Sequence, residues 1–370
     1  MSSKFPGRLA VQQRVLPVYR APFFDTLAAS CEDGLSLFAG KPRPIESIAT
    51  TENLKIAQYA YAKNRHILSG SLYFCYQQNI KIWLEDTNPD ALILEANPRY
   101  LGTPSAIKWM RERGRPVIGW GLGAPQHTGN LAGYRQKNWV RFLNKFDALI
   151  TYSKRGAADY AALGIPKDRI FVAHNAVAHK PKGGLLTRPI RQEYERLITL
   201  FVGRIQERKK LDNLLRACAA LPKELQPKLW IVGDGSAKES LETLAQDIYP
   251  SARFFGERHG AELKMIWAEA DLFTLPGTGG LAVQEAMSHA LPVIVAQGDG
   301  TQDDLVRPKN GWQIPPNDLD ALIAALEDAL ADQNRLRAMG VESYNIVFSE
   351  VNIEKMVEVF VSALMKVSKF

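Results

Sequence analysis

The sequence predicts an α/β protein made of two doubly wound, parallel-sheet domains of the Rossmann-like kind, facing each other across a cleft. Three observations carry this. Short apolar runs alternate with helix-patterned segments over most of the chain, the arrangement that buries a parallel sheet between helices. The rhythm breaks at 179–196, where Pro181, Gly183, Gly184 and Pro189 stand among charged residues and mark a linker. A length of 370 residues suits two domains.

The strands expected before the linker are 9–15, 35–39, 91–95, 116–120, 148–152 and 170–173. Those expected after it are 197–202, 228–232, 252–255, 272–275, 292–296 and 312–314. Three amphipathic helices follow the i, i+3, i+4, i+7 rule. Their stripes begin Leu211, Leu214, Leu215; Leu319, Leu322, Leu326; and Ile353, Met356, Val357.

Composition removes several classes. With 46% hydrophobic and 23% charged residues the chain is an ordinary globular protein. Cys31, Cys75 and Cys218 are far apart and form no CxxC pair, so neither a zinc site nor a disulfide framework is expected. Reduced cysteines, no apolar leader and no run of 18 apolar residues point to a cytoplasmic protein. No glycine cluster completes G-x-G-x-x-G, which argues against a dinucleotide oxidoreductase. The basic half carries no recognisable nucleic-acid module, so no nucleic-acid partner is expected.

Two segments carry chemistry. In LFVGRIQERKK, a strand ends at Gly203, and Arg204, Arg208, Lys209 and Lys210 precede a helix. Glycine admits a close ligand, and the cations suit phosphate; a solvated basic loop is the plainer alternative. In LPGTGGLAVQEAM, Gly277, Thr278, Gly279 and Gly280 follow a strand, and a helix opens at Leu281. Its free N–H groups would face a ligand. Glu285, one turn in, could accept two ribose hydroxyls or merely complement the helix dipole.

These pieces, with IVGDG at 231–235, FFG at 254–256 and HALPVIV at 289–295, resemble the retaining glycosyltransferases of family four, the "group one" family with the GT-B architecture. The likeness is close over 197–340. It implies a metal-independent hexosyltransferase taking a UDP- or GDP-linked sugar, with no further cofactor and no metal; Asp318-Leu319-Asp320 starts a helix and is no metal-binding Asp-x-Asp loop. Arg204 and Lys209 would hold the donor diphosphate beside Gly203. The backbone at Gly279, Gly280 and Leu281 would cradle phosphate and sugar, Glu285 would bind ribose, and Glu257 and Arg258 would edge the base pocket. Residues 190–349 would form the donor domain and 1–185 the acceptor-side domain, with the terminal helix, 350–370, packing back on the latter.

Three departures stand out. Gly277 takes the place of the family's first glutamate, Lys210 and Ala290 those of usual glycines. The first keeps open a second reading, a catalytically silent nucleotide-sugar-binding partner subunit.

In the N-terminal half, Tyr19 and Arg20 follow a strand, and Pro22 suits a first helical turn. Arg20 could reach phosphate or acceptor, or be a surface arginine at a helix start. By the resemblance His127, in GWGLGAPQH, is the nearest substitute for a histidine that touches the donor sugar, and Asn175 matches the asparagine that ends the first domain. Residues 1–190 hold 26 Lys+Arg against 13 Asp+Glu, a balance of +13. On the expected helix around Arg135, Lys137 and Arg141 the cations interleave with Trp139, Val140, Phe142, Leu143 and Phe146. Such a helix suits an anionic membrane surface, or its apolar residues are core. The acceptor expected is a saccharide or lipid-linked saccharide of bacterial-type surface glycan synthesis, met at the inner face of the membrane.

Overall fold

A computed structural model describes residues 4–46, 48–125, 129, 132–192, 195–279, 281–298 and 300–368. The chain divides into two compact units. One comprises Met1–His179 with Ile353–Phe370, and the other Lys180–Asn352.

The first unit holds β1 (Leu9–Val15), β2 (Leu35–Gly40), β3 (Gln58–Tyr61), β4 (Asn64–Ile67), β5 (Phe74–Gln77), β6 (Ala91–Glu95), β7 (Val117–Gly121), β8 (Ala148–Thr151) and β9 (Ile170–Val172). Seven of these form a parallel sheet in the order β3-β2-β1-β6-β7-β8-β9. The second unit holds β10 (Ile198–Val202), β11 (Lys228–Val232), β12 (Arg253–Gly256), β13 (Leu272–Leu275), β14 (Val293–Ala296) and β15 (Gly311–Ile314). They form a parallel sheet in the order β12-β11-β10-β13-β14-β15. Central strands such as β6 and β13 are buried on both faces, which is why they read as near-continuous apolar runs.

Helix Ile353–Val367 belongs to the first unit. The Ile353 amide donates to the Ala178 carbonyl at 3.0 Å. Phe360 packs edge-on against Phe23 and Trp120, with centroids 5.0 and 4.9 Å apart. The expected linker is partly built into the second unit. Arg188, buried, donates to the carbonyls of Trp267, Ala270, His289 and Ala290. These lie in the last turns of two helices, where carbonyls lack helical partners.

Two expectations are corrected. Strands β3, β4 and β5 were not anticipated; β4 and β5 form a separate antiparallel hairpin. The apolar side of helix Ala132–Leu143 is not a free amphipathic face: Phe142, Leu143 and the following Phe146 lie in the core beneath β6, β7 and β8. Its cations are a solvated face over packed side chains. Among the described residues no helix is long and apolar enough to cross a membrane.

Candidate functional site

In the second unit the chain winds from β10 outward to β12, then crosses to β13 and winds the other way. Between β10 and β13 the strand order reverses. In open α/β sheets the crevice at the carboxyl ends of such a strand pair receives ligands. Two loops meet there, 203–210 after β10 and 276–279 after β13.

Their backbones are joined. The Thr278 amide donates to the Arg208 carbonyl at 3.0 Å. Lys209 Nζ donates to the carbonyls of Thr278 and Gly279, each at 2.8 Å, and Arg208 Nη1 to that of Thr278 at 3.2 Å. Lys209 is only 7% exposed. Burial, then the charges of Arg208 and Arg204, pull its ammonium down to about 8. The carbonyls take two of its three protons, and one N–H remains for an anion. Arg204 and Arg208 are exposed beside it.

Gly277 makes this closeness possible. A Cβ there would lie 2.2 Å from the Arg208 carbonyl oxygen and 2.5 Å from Lys209 Cα. The position where the family resemblance expects a glutamate is thus occupied by the chain's own phosphate-side loop. The two other departures share one geometry: Lys210 has φ +55° and Ala290 φ +54°. Both hold a left-handed backbone that glycine adopts without cost.

Gly279 has φ +73°, and a Cβ there would lie 3.2 Å from Arg208 Nη1. Gly280 lies outside the described residues, as does His127. Leu281 opens helix Leu281–Ser288. Glu285, half-buried on that helix, accepts the Trp267 indole N–H at 3.2 Å. Trp267 in turn stacks on His289, with centroids 5.6 Å apart, so the carboxylate is held by a rigid aromatic pair. Glu257 and Arg258 follow β12 at the sheet edge, two strands from the crevice. Arg258 Nη1 donates to the Glu257 carbonyl at 2.8 Å. Gly203 N donates to the Val232 carbonyl and Gly233 N to that of Gly256, so β10, β11 and β12 end side by side. The structure brings Gly203, Arg204, Lys209, Gly277, Thr278 and Gly279 together; Glu257 and Arg258 stand apart from them.

In the first unit Arg20 is not a surface arginine. It is 5% exposed, its guanidinium lying 5.4 Å from the rings of Trp120 and Tyr152 and 5.5 Å from that of Tyr19. It donates to the Asn175 side-chain oxygen. Tyr19, Arg20 and Asn175 do converge, around a buried cation held by aromatic faces.

The corresponding crevice of this unit lies between β1 and β6, and it holds residues the sequence reading did not single out. Arg14, on β1, offers its amide to Glu95 Oε1 at the end of β6, at 2.8 Å. Its guanidinium pairs with Glu46 at 2.8 Å. Arg14 and Arg43, outweighing the effect of burial, hold the Glu46 carboxyl down at about 2. Burial pushes Glu95 above its ordinary value, against the pull of Arg14 and the Tyr100 hydroxyl. The available signal was a carboxylate closing the otherwise apolar strand ALILE. Among the described residues no group of three or more His, Cys, Asp or Glu side chains could hold a metal.

The two parallel-sheet units have the GT-B architecture of solved glycosyltransferase structures. The family model described as glycosyl transferases group 1 matches residues 187–345, within the second unit. It is 33% identical over 154 residues to the sulfoquinovosyl transferase SQD2 of Arabidopsis thaliana, covering 40% of this chain and 29% of that protein. It is 28% identical over 241 residues to the GDP-mannose-dependent alpha-(1-6)-phosphatidylinositol monomannoside mannosyltransferase of Mycolicibacterium smegmatis. That match covers 60% of this chain and 61% of the relative; the chain thus spans less than two thirds of either relative's length. The crystal structure of Anabaena Alr3699/HepE in complex with UDP shares the fold, with a TM-score of 0.69 and 15% identity over 97% of this chain and 99% of that one.

Proposed function

We propose that the chain transfers a hexosyl group from a nucleotide-diphosphate sugar to a saccharide or lipid-linked acceptor, with retention of configuration and without a metal. The carrying observation is the buried Lys209 ammonium, fixed 2.8 Å from two carbonyls at the crevice of the second sheet with Arg204 and Arg208 beside it. Cleavage of a sugar–phosphate bond leaves negative charge on the diphosphate. Cations already in place stabilise that charge more in the transition state than in the ground state. A UDP-bound structural neighbour and a relative named for GDP-mannose leave uridine and guanosine donors as the two candidates.

The acceptor hydroxyl is received at the crevice of the first sheet, where Glu95 offers a carboxylate with a raised proton affinity. A relative named for a phosphatidylinositol acceptor supports a glycolipid or surface glycan, built at the inner face of the membrane.

The test is turnover of nucleotide sugars by Arg204→Ala and Lys209→Ala, with folding followed by circular dichroism. Each substitution should cost about 100-fold or more in kcat/KM; normal turnover in either would overturn the assignment. Addition of EDTA should leave activity unchanged, and a strict requirement for a divalent cation would give the charge-stabilising role to an ion. The closed position at Gly277 favours one second reading, a nucleotide-sugar-binding partner subunit without turnover. Binding of nucleotide sugar with no hydrolysis or transfer in any acceptor extract would establish it.

A further inference from the structure

The hairpin β4–β5 is built inside out. Its residues pair Asn64 with Gln77, Arg65 with Tyr76, His66 with Cys75 and Ile67 with Phe74. A half-buried antiparallel hairpin normally turns apolar residues inward and polar ones outward. Here three of the four inward side chains are polar, Asn64, His66 and Gln77, and the fourth is Cys75. The Asn64 amide donates to the Arg14 carbonyl at 2.7 Å, and that of Gln77 to the Gln13 carbonyl at 3.0 Å. His66 Nδ1 meets the Tyr73 hydroxyl at 2.9 Å. The first two bonds tie the hairpin to the end of β1 and fix its register. A slip by one residue would turn the apolar row inward, and the inward bonds forbid it.

The outward row is exposed and holds three large hydrophobic side chains, Ile67, Phe74 and Tyr76, beside Arg65. It widens on one side and at the tip. Segment 99–101 runs along the other edge of β5, with Cys75 N bonded to the Arg99 carbonyl and Leu101 N to the Cys75 carbonyl. This sets exposed Leu101 beside Tyr76. At the tip Leu68 and Leu72 are each 64% exposed. Leu68 holds φ +58°, a backbone for which glycine would be the unstrained choice.

The charged residues carried by this stretch of chain have one sign. Residues 53–84 contain Lys55, Lys63, Arg65 and Lys81 and no Asp or Glu, and Arg99 stands beside Phe74 on the outer face. The Arg65 guanidinium lies against the neutral Gln78 amide. A second copy docking here would bring Lys63, Arg65 and Arg99 against their own kind, since a two-fold contact sets the same patch on itself. An anionic lipid surface offers what the face lacks: opposite charge for the cations, acyl chains for the leucines, and an interfacial layer that suits Tyr and Phe.

We propose that the outward face of β4–β5, led by Leu68 and Leu72, docks the first unit on an anionic bilayer surface. The hairpin supplies the unpartnered apolar face that the basic helix Ala132–Leu143 lacks. The inference stands independently of the donor reading, because it concerns other residues and another readout.

The experiment is co-sedimentation of the full chain with phosphatidylcholine vesicles, with and without phosphatidylglycerol, at low and high salt. Binding should require the anionic lipid and weaken with salt. The double variant L68S/L72S should bind about tenfold to a hundredfold more weakly while nucleotide-sugar binding stays unchanged. No binding of the parent chain at low salt, or equal binding by the double variant, would overturn the proposal. So would sedimentation velocity showing a parent dimer that the double variant abolishes, which would give the face to a second copy.

Discussion

Gly277 and Lys209 come closer than any side chain would allow: a Cβ on the glycine would stand 2.5 Å from the Cα of the lysine. Backbone meets backbone there, so the contact cannot be relieved by a rotamer change. Gly277→Ala is expected to destabilise the second unit by about 1–3 kcal/mol, read as a lower thermal midpoint, and to weaken nucleotide-sugar binding as the loops part. Gly277→Glu, which restores the family's carboxylate, is expected to do worse. A stable Gly277→Glu protein with increased turnover would show that the loops can separate freely.

Lys209 makes a pH prediction. Its folded value, about 8, lies below the ordinary 10.5, because burial disfavours the cation. The unfolded chain therefore binds the extra proton between those values, and this lysine's contribution to stability rises with pH across that window. Donor recognition runs the other way, since the diphosphate needs the cation. The kcat/KM for nucleotide sugar, which reports the free enzyme, should fall as pH rises through about 8. Lys209→Arg, with a guanidinium that does not titrate there, should lack that limb. A parent profile flat from neutral to strongly alkaline pH would remove Lys209 from the donor site.

The two left-handed positions should respond differently to glycine. Lys210 is half-buried, and Lys210→Gly mainly relieves a strained backbone, for an expected gain of about 1 kcal/mol. Ala290 is 6% exposed, so Ala290→Gly also gives up a buried methyl worth about 0.8 kcal/mol and should come out near neutral. Thermal melts of the two variants decide between this ordering and its reverse.

Glu95→Gln keeps the hydrogen bond from the Arg14 amide and removes the charge. Acceptor-dependent transfer is expected to fall about 100-fold, with donor hydrolysis in water little changed. An equal fall in both activities would place the effect on the fold or on the donor.

Much of the sheet architecture was legible because buried parallel strands announce themselves as apolar runs. β1, β6, β11 and β13 lie where the runs lie. β4 and β5 escaped because their alternation is inverted, so no apolar row marked a side facing the core. The packing of Arg20 stayed open for a related reason: a cation that rests on Trp120 and Tyr152 looks, in sequence, like one that rests in water. The loops at 203–210 and 276–279 could be placed at strand ends because glycines and cations there interrupt the apolar runs. Glu95 could not, since its significance comes from the strand order, which sets β6 beside β1. The clash that fixes Gly277 is likewise a property of two loops 68 residues apart (209 to 277).

Cys31, Cys75 and Cys218 are all buried, and burial pushes the thiols of Cys31 and Cys218 up to about 12 and that of Cys75 upward as well. Thiolate is the reactive form, so the native chain offers almost no handle to a maleimide at neutral pH. It is in effect a cysteine-free background without any cysteine having been removed. A single cysteine placed at an exposed position such as Lys63 or Leu186 would carry a fluorophore or spin label alone, and its spectrum would report one chosen point on either unit.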